Sequence, residues 1–360
     1  MKVALVSLGP KGGAVHYVFS LANALVKYSE VIIITADYVD ETYFSPKIKI
    51  IKVKTGKNRK GVLLNSFNIF NFYKIWKIFS NINVDIVHFA SQHPWNFIVS
   101  FFVKQPIAYT LHDPKTHLGE NPLVAFFYYL MILRANKIFV HSKIYLKKML
   151  ERNFYSKRVH YIPHGVLSFF SEWQNKDIKE ELSVLFFGRI EKYKGIKYLL
   201  QAFYLVQKKI PIVKLIIAGE GKLDSYKKLI NSISNIQILN YFIPDSGVAK
   251  LFQKAKVVVL PYIEATQSGV PFIAYTFKKP AIVTATGGLP ELVDDGETGY
   301  IVKPADSVGL AQAIIKILKN EKNRKKMGQK GFEKMSKEFS WDKIALKTIE
   351  IYKEYSATDP

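Results

Sequence analysis

Apolar and polar positions along the chain follow two periods. Short β-branched or apolar runs at residues 3–8, 31–36, 85–90, 107–111 and 138–141 are separated by longer stretches of helical period, the first of them at 14–27. That alternation predicts a parallel sheet covered by helices on both faces. After "YIPHGV" (161–166) a polar stretch, "SEWQNKDIKEE" (171–181), reads as a linker, and the pattern then restarts. Runs at 183–189, 213–221, 236–242, 256–262 and 280–285 predict five more strands, and their continuous apolar character suits strands buried on both faces. The expected fold class is α/β, with two doubly wound domains, 1–165 and 166–340, joined near residues 166–182. A periodic, amphipathic segment at 341–355 predicts a terminal helix within the tail 341–360. Ligand is expected at the carboxyl ends of the strands.

Composition narrows this picture. With 360 residues, 49% of them hydrophobic, there is ample apolar material for two cores. The chain has no cysteine, which excludes disulfides and zinc–thiolate sites and suits a reducing cytoplasm. Met1 and Lys2 open directly onto an apolar run and a glycine loop, which reads as a buried first strand and not as a signal peptide. The longest apolar run, "LVAFFYYLMIL" (123–133), has eleven residues. A spanning helix needs roughly 20. The net charge of +23 favours an anionic partner: nucleic acid, a lipid surface or a phosphorylated substrate. Its excess is denser before Gly165, where 22 basic residues face 8 acidic ones. No helix-turn-helix, zinc-finger or RNP-type signature is present, so nucleic acid is not expected as a partner.

Four loops carry candidate chemistry. "GPKGGAVH" (9–16) lies between a strand and a helix, and Gly12 with Gly13 would let backbone N–H groups approach a phosphate at the helix's positive end. Two glycines easing a tight turn is the alternative of equal weight, since the G-x-G-x-x-G spacing is missing. "TLHD" (110–113) puts His112 at a strand end, where such folds place reactive groups; a satisfied structural histidine is the alternative. In "GRIEKYKG" (188–195), Arg189 and Lys194 stand before a clear helix and could neutralise a diphosphate leaving group without a metal. Otherwise they are solvated cations. "PYIEATQSGVPFIAY" (261–275) offers Glu264 to sugar hydroxyls and the amides of Thr266, Gln267, Ser268 and Gly269 to phosphate oxygens. "TGGLPE" (286–291) adds a further glycine loop. The histidines lack metal-ligand spacing, so no metal site is expected.

The order "GGAVHYVFSLANAL", "TLHD", "GRIEKYKG", "IIAGEG", "PYIEATQSG", "TGGLPELVDDGETGYIVKPAD" and "FSWDKIA" resembles the glycogen-synthase-like, retaining GT-B glycosyltransferases over nearly the whole chain. That resemblance implies two Rossmann-like domains facing a central cleft, with the acceptor mainly on the first and a nucleotide-sugar donor on the second. It also implies a terminal helix returning to the first domain. His112 matches the family histidine beside the transferred sugar, Arg189 and Lys194 the pair at the donor diphosphate, and Gly12 with Gly13 the loop facing those phosphates. Glu264 matches the first glutamate of the family's Glu-x7-Glu element; the second falls on Phe272, which cannot accept a hydrogen bond from a donor ribose. Gly219 and Glu220, with Gly221 and residues 241–243, are expected to border the base.

The function implied is sugar transfer with retention, with no cofactor and no metal, to a glycan or lipid-linked acceptor. A non-catalytic GT-B-shaped protein that binds nucleotide, anionic lipid or nucleic acid is the competing reading, kept by Phe272 and the charge. Residues 62–82 hold six aromatics with Lys74 and Lys77. They and the apolar stretch 123–133 read either as sheet-covering helices or, for one of the two, as an interfacial helix on an anionic membrane, which would make the protein cytoplasmic and peripheral.

Overall fold

The apolar runs become the strands of two separate parallel sheets. In the computed structural model, which describes residues 1–9, 12–56, 59–66, 68–113, 122–151 and 158–354, the chain divides into two units. Residues 1–165 with 340–360 form unit 1, and residues 166–339 form unit 2. Unit 1 carries β1 (Lys2–Ser7), β2 (Glu30–Ala36), β3 (Lys49–Val53), β4 (Ile86–Phe89), β5 (Ile107–Leu111), β6 (Lys137–Val140) and β7 (Val159–Tyr161). They pair in parallel in the order β3-β2-β1-β4-β5-β6-β7. Its helices are α1 (Gly13–Leu25), α2 (Arg59–Ser66), α3 (Ile69–Asn81), α4 (Trp95–Ser100), α5 (Pro122–Arg134) and α6 (Lys143–Leu150). Chain direction across the sheet reverses between β1 and β4, so the switch point falls at the loop that precedes α1.

Unit 2 repeats the plan. Its strands are β8 (Ser183–Phe187), β9 (Lys214–Ala218), β10 (Ile236–Leu239), β11 (Val257–Leu260), β12 (Ala281–Thr284) and β13 (Gly299–Val302), in the order β10-β9-β8-β11-β12-β13. The helices α7 (Ile196–Lys209), α8 (Lys227–Asn231), α9 (Asp245–Lys254), α10 (Val270–Thr276), α11 (Ser307–Lys319) and α12 (Glu321–Glu338) complete it. Strands β8, β11 and β12 are almost wholly buried, as expected of apolar strands covered on both faces.

The polar stretch read as a linker is built into unit 2. Ser168–Trp173 forms a 3-10 turn whose Phe170 is buried. Beyond it Glu180 binds Arg324 through a bidentate pair at 2.7 and 3.2 Å and also meets Lys279. Glu181 bridges Lys254 at 2.5 Å and Lys214 at 3.4 Å. The segment is polar because it neutralises cations of α9 and α12, and polarity alone does not separate that from a solvated connection.

After α12 the chain returns to unit 1 as α13 (Trp341–Lys353), packed on α1. Tyr352 makes a hydrogen bond with His88 Nδ1 on β4, while His88 Nε2 lies 2.7 Å from Thr110 Oγ1. Trp341 packs so closely on Gly165 that a Cβ there would fall 2.2 Å from the indole. Residues 355–360 of the expected tail lie outside the described residues.

Candidate functional site

Each unit gathers its candidate residues at the carboxyl ends of its central strands. In unit 1, Gly12 caps α1 with φ +99°, a conformation open to glycine and strained for other residues. A Cβ at Gly12 or Gly13 would meet no atom of the described residues within 4 Å. Pro10 and Lys11 of this loop lie outside the described residues.

His112 follows β5 and is half-buried. Its Nε2 donates to the Ala90 carbonyl at 2.9 Å, and its Nδ1 lies 3.1 Å from His141 Nε2. Tyr17 of α1 packs edge-on against it, with ring centroids 4.9 Å apart, and also contacts His141, His164 and Trp341. Desolvation holds the His112 pKa below the ordinary histidine value, against the Ala90 hydrogen bond and the Asp113 charge, which push it up. Burial lowers His88 to about 3 and His164 to about 4, so both are neutral rings at physiological pH. His141 and His164 had no distinguishing mark in the sequence; only the neighbouring of β5, β6 and β7 brings them beside His112.

In unit 2 the loops after β8, β11 and β12 interlock. Gly195 has φ +70°, and a Cβ there would sit 1.8 Å from the Pro261 carbonyl oxygen, so no side chain fits. Ile263 donates its N–H to the Tyr193 carbonyl at 2.7 Å, which sets Glu264 beside the 192–194 turn. Thr284 Oγ1 donates to the Tyr262 carbonyl at 2.6 Å, and the Gly288 N–H to that of Thr266 at 3.0 Å.

These constraints aim two cations at one place. The Lys194 ammonium lies 3.8 Å from the centroid of the buried Tyr262 ring and 5.1 Å from that of Tyr193, a cation–π arrangement that holds a flexible side chain still. Burial raises the Tyr262 hydroxyl to about 12, opposed by its Ser268 hydrogen bond and by the charge of nearby Arg189. Arg189 is exposed and pairs with no carboxylate among the described residues. The N–H groups of Ser268 and Gly269 donate to no chain acceptor among the described residues, whereas Ser268 Oγ accepts from the Val270 N–H at 3.3 Å. Gly219 and Glu220 follow β9 on the same rim, tied to the β8 loop by Ile190 N–H donating to the Glu220 carbonyl at 2.8 Å.

Two family models match the chain in tandem. Glycosyltransferase Family 4 covers residues 11–166, and Glycosyl transferases group 1 covers residues 169–334. The chain belongs to the group 1 glycosyltransferases.

An uncharacterized glycosyltransferase of Methanocaldococcus jannaschii is 28% identical to this one over 359 residues, 96% of this chain and 95% of that one. The N-acetyl-alpha-D-glucosaminyl L-malate synthase of Bacillus anthracis is 23% identical over 81% of this chain and 82% of its own. Among solved structures, HepE from Anabaena in complex with UDP-glucose superposes with a TM-score of 0.75 at 18% identity, covering 98% of this chain and all of that one. Sucrose-phosphate synthase from Thermosynechococcus elongatus gives 0.75 at 20% identity over 99% of this chain and all of its own. The glycosyltransferase thus has the GT-B fold, built of two Rossmann-like units.

Two further features of this glycosyltransferase bear on its donor and its acceptor. Phe272, standing where the resemblance expects a glutamate, is wholly buried and packs edge-on against Phe339 at 5.3 Å. That position serves the core of unit 2. In unit 1, α3 buries Ile75 and Phe79 but leaves Phe70 81% and Trp76 44% exposed. A groove of about 910 Å³ beside α3 is lined by Lys52, Lys54, Lys74 and Lys77 with Phe70 at its edge. Lys54, Lys74 and Lys77 pair with no carboxylate among the described residues.

Proposed function

We propose that this glycosyltransferase moves a sugar from a nucleoside diphosphate sugar to a hydroxyl acceptor, with retention of configuration and without a metal ion. The observation that carries the donor is the convergence on Tyr262: Lys194 lies 3.8 Å from its ring, the Arg189 charge acts on its hydroxyl, and that hydroxyl meets Ser268 Oγ at 3.4 Å, where the Ser268 and Gly269 N–H groups donate to no described acceptor. Two cations and free backbone donors suit a diphosphate whose charge grows as it leaves. HepE holds UDP-glucose in its structure, which accords with this reading. The relative's name, N-acetyl-alpha-D-glucosaminyl L-malate synthase, describes an alpha product, and an alpha-configured donor that gives an alpha product keeps its configuration.

In the proposed step the bond from C1 to the diphosphate oxygen breaks while the acceptor hydroxyl oxygen bonds C1 from the same face. The hydroxyl proton passes to the departing diphosphate oxygen, leaving a glycoside and a nucleoside diphosphate. On unit 2, Arg189 and Lys194 carry the leaving charge and Thr266, Gln267, Ser268 and Gly269 cradle phosphate oxygens; on unit 1, Gly12 and Gly13 offer the positive end of α1 to an anion. His112 and Glu264 attend the sugar ring, and Gly219 with Glu220 borders the base. For the acceptor we favour a lipid-linked saccharide or glycolipid at an anionic membrane surface, from the exposed aromatics and unpaired lysines around α3.

The test is release of free nucleotide from a panel of nucleotide sugars, with the anomeric coupling of the product read by proton NMR. Turnover is expected to survive EDTA. His112→Ala and Glu264→Ala are expected to lose turnover while calorimetry finds unchanged affinity for the nucleoside diphosphate. An inverted product, or activity abolished by EDTA and restored by magnesium, would overturn the mechanism. Nucleotide binding without turnover on any donor would favour the non-catalytic reading.

A further inference from the structure

The hydrogen bonds around His112 leave a proton unaccounted for. A carbonyl oxygen only accepts, so the Ala90 carbonyl 2.9 Å from His112 Nε2 requires a proton on that nitrogen. The Ile162 carbonyl, 2.7 Å from His141 Nδ1, requires one there too. If both rings are neutral, His112 Nδ1 and His141 Nε2 carry only lone pairs, and these face each other at 3.1 Å. One further proton turns that repulsion into an N–H···N hydrogen bond.

We propose that His141 is a positioning residue for His112: the two rings share one proton across their facing nitrogens, and turnover is lost when that proton leaves. The inference rests on the role assigned above to His112. Its geometry is unit 1's own. β5 and β6 place the rings side by side, Tyr17 of α1 packs on both with centroids 4.9 and 4.8 Å away, and neither ring can turn without breaking a bond to backbone.

Other charged or titratable groups surround the pair on every packed element. These are His16 and Tyr17 on α1, His88 on β4, Asp113 after β5, His164 after β7 and Tyr352 on α13. His88 and His164, lowered to about 3 and 4, stay neutral above acid pH and do not compete for the proton. Tyr17 and Tyr352 are raised by burial and stay protonated. Desolvation and the neighbouring imidazoles hold His141 well below the ordinary histidine value, and desolvation holds His112 below it, while Asp113 and the two backbone carbonyls favour charge. A proton held between the facing nitrogens belongs to the pair, which titrates as one site below that ordinary value. A rise in pH removes it, restores facing lone pairs and lets the His112 ring leave its working orientation.

The experiment compares pH profiles of kcat for the unmodified enzyme, His141→Gln and His141→Leu. A glutamine amide can donate to His112 Nδ1 but has no proton to lose. His141→Gln should keep kcat within about threefold and lose the alkaline fall seen in the unmodified enzyme. His141→Leu should lower kcat roughly 10- to 100-fold with KM for the donor little changed. If His141→Leu fails to fold, as a thermal melt would show, the glutamine profile decides alone. An unmodified enzyme without an alkaline fall, or a glutamine variant that keeps it, overturns the shared proton. Full turnover in His112→Ala would instead overturn the role of His112 itself.

Discussion

At the scale of single residues, the site depends on side chains whose freedom has been removed. A lysine on a turn ordinarily samples many rotamers, but Lys194 rests against the Tyr262 ring at 3.8 Å, so in the proposed site its charge is in place before a donor would arrive. Preorganised charge acts on the transition state without reorganising. Arg189→Ala and Lys194→Ala are each expected to raise the barrier by about 2–4 kcal/mol, as loss of an oxyanion donor does. Steady-state kinetics should show kcat/KM falling while the urea midpoint stays near that of the unmodified protein. These proposed donor cations stood out in the sequence, because "GRIEKYKG" follows an apolar run and precedes a periodic helix. Tyr262 and His141 were not, since what qualifies them is a neighbour brought close by strand order.

Among the elements, the central strands and the edge strand β10 were readable, whereas the edge strands β3, β7 and β13 were not. β1, β5, β8, β11 and β12 are continuous apolar runs because helices cover both faces. β3 escaped because lysines interrupt it, as suits the edge of a sheet. β7 and β13, at the outer edges of their sheets, are buried only at their first residue, so no continuous apolar run marks them. The stretch at 171–181 failed as a linker for a related reason: Glu180 is polar in order to meet Arg324, which is only 2% exposed. Removing that carboxylate strands a buried cation. Glu180→Ala should cost about 2 kcal/mol, below the ~3–5 kcal/mol of a fully buried pair because the Glu180 side chain is partly solvated. Burial pushes the Glu180 pKa up, but Lys279 and Arg324 outweigh this and hold it below the usual carboxylate range. Its stabilisation is thus present at neutral pH and lost as pH falls through the depressed value. Urea midpoints of the two proteins should differ at pH 7 and converge in acid.

For the molecule as a whole, charge and exposed aromatics act together. On the proposed reading the net charge of +23 would draw the protein towards anionic surfaces, and α3 adds Phe70, Tyr73 and Trp76 with Lys74 and Lys77 on one exposed stretch. Among the described residues no helix is long and apolar enough to cross a membrane. Adsorption is the expected mode of contact. Cosedimentation should occur with vesicles containing anionic lipid, fade at high salt and be absent with neutral vesicles. A lysine near such a surface contributes about 1 kcal/mol, so Lys74→Glu with Lys77→Glu should weaken binding at least ~30-fold. Activity on a soluble acceptor analogue should persist. Equal binding to neutral and anionic vesicles would sink this assignment. The return of α13 to unit 1 has a consequence for biosynthesis. Tyr352 and His88 meet across 264 positions of sequence, and between them lies all of unit 2. A ribosome reading this message therefore exposes every strand of the second sheet before it releases the helix that completes the first. The part of the protein translated earliest is the part that must wait longest for its last side chains.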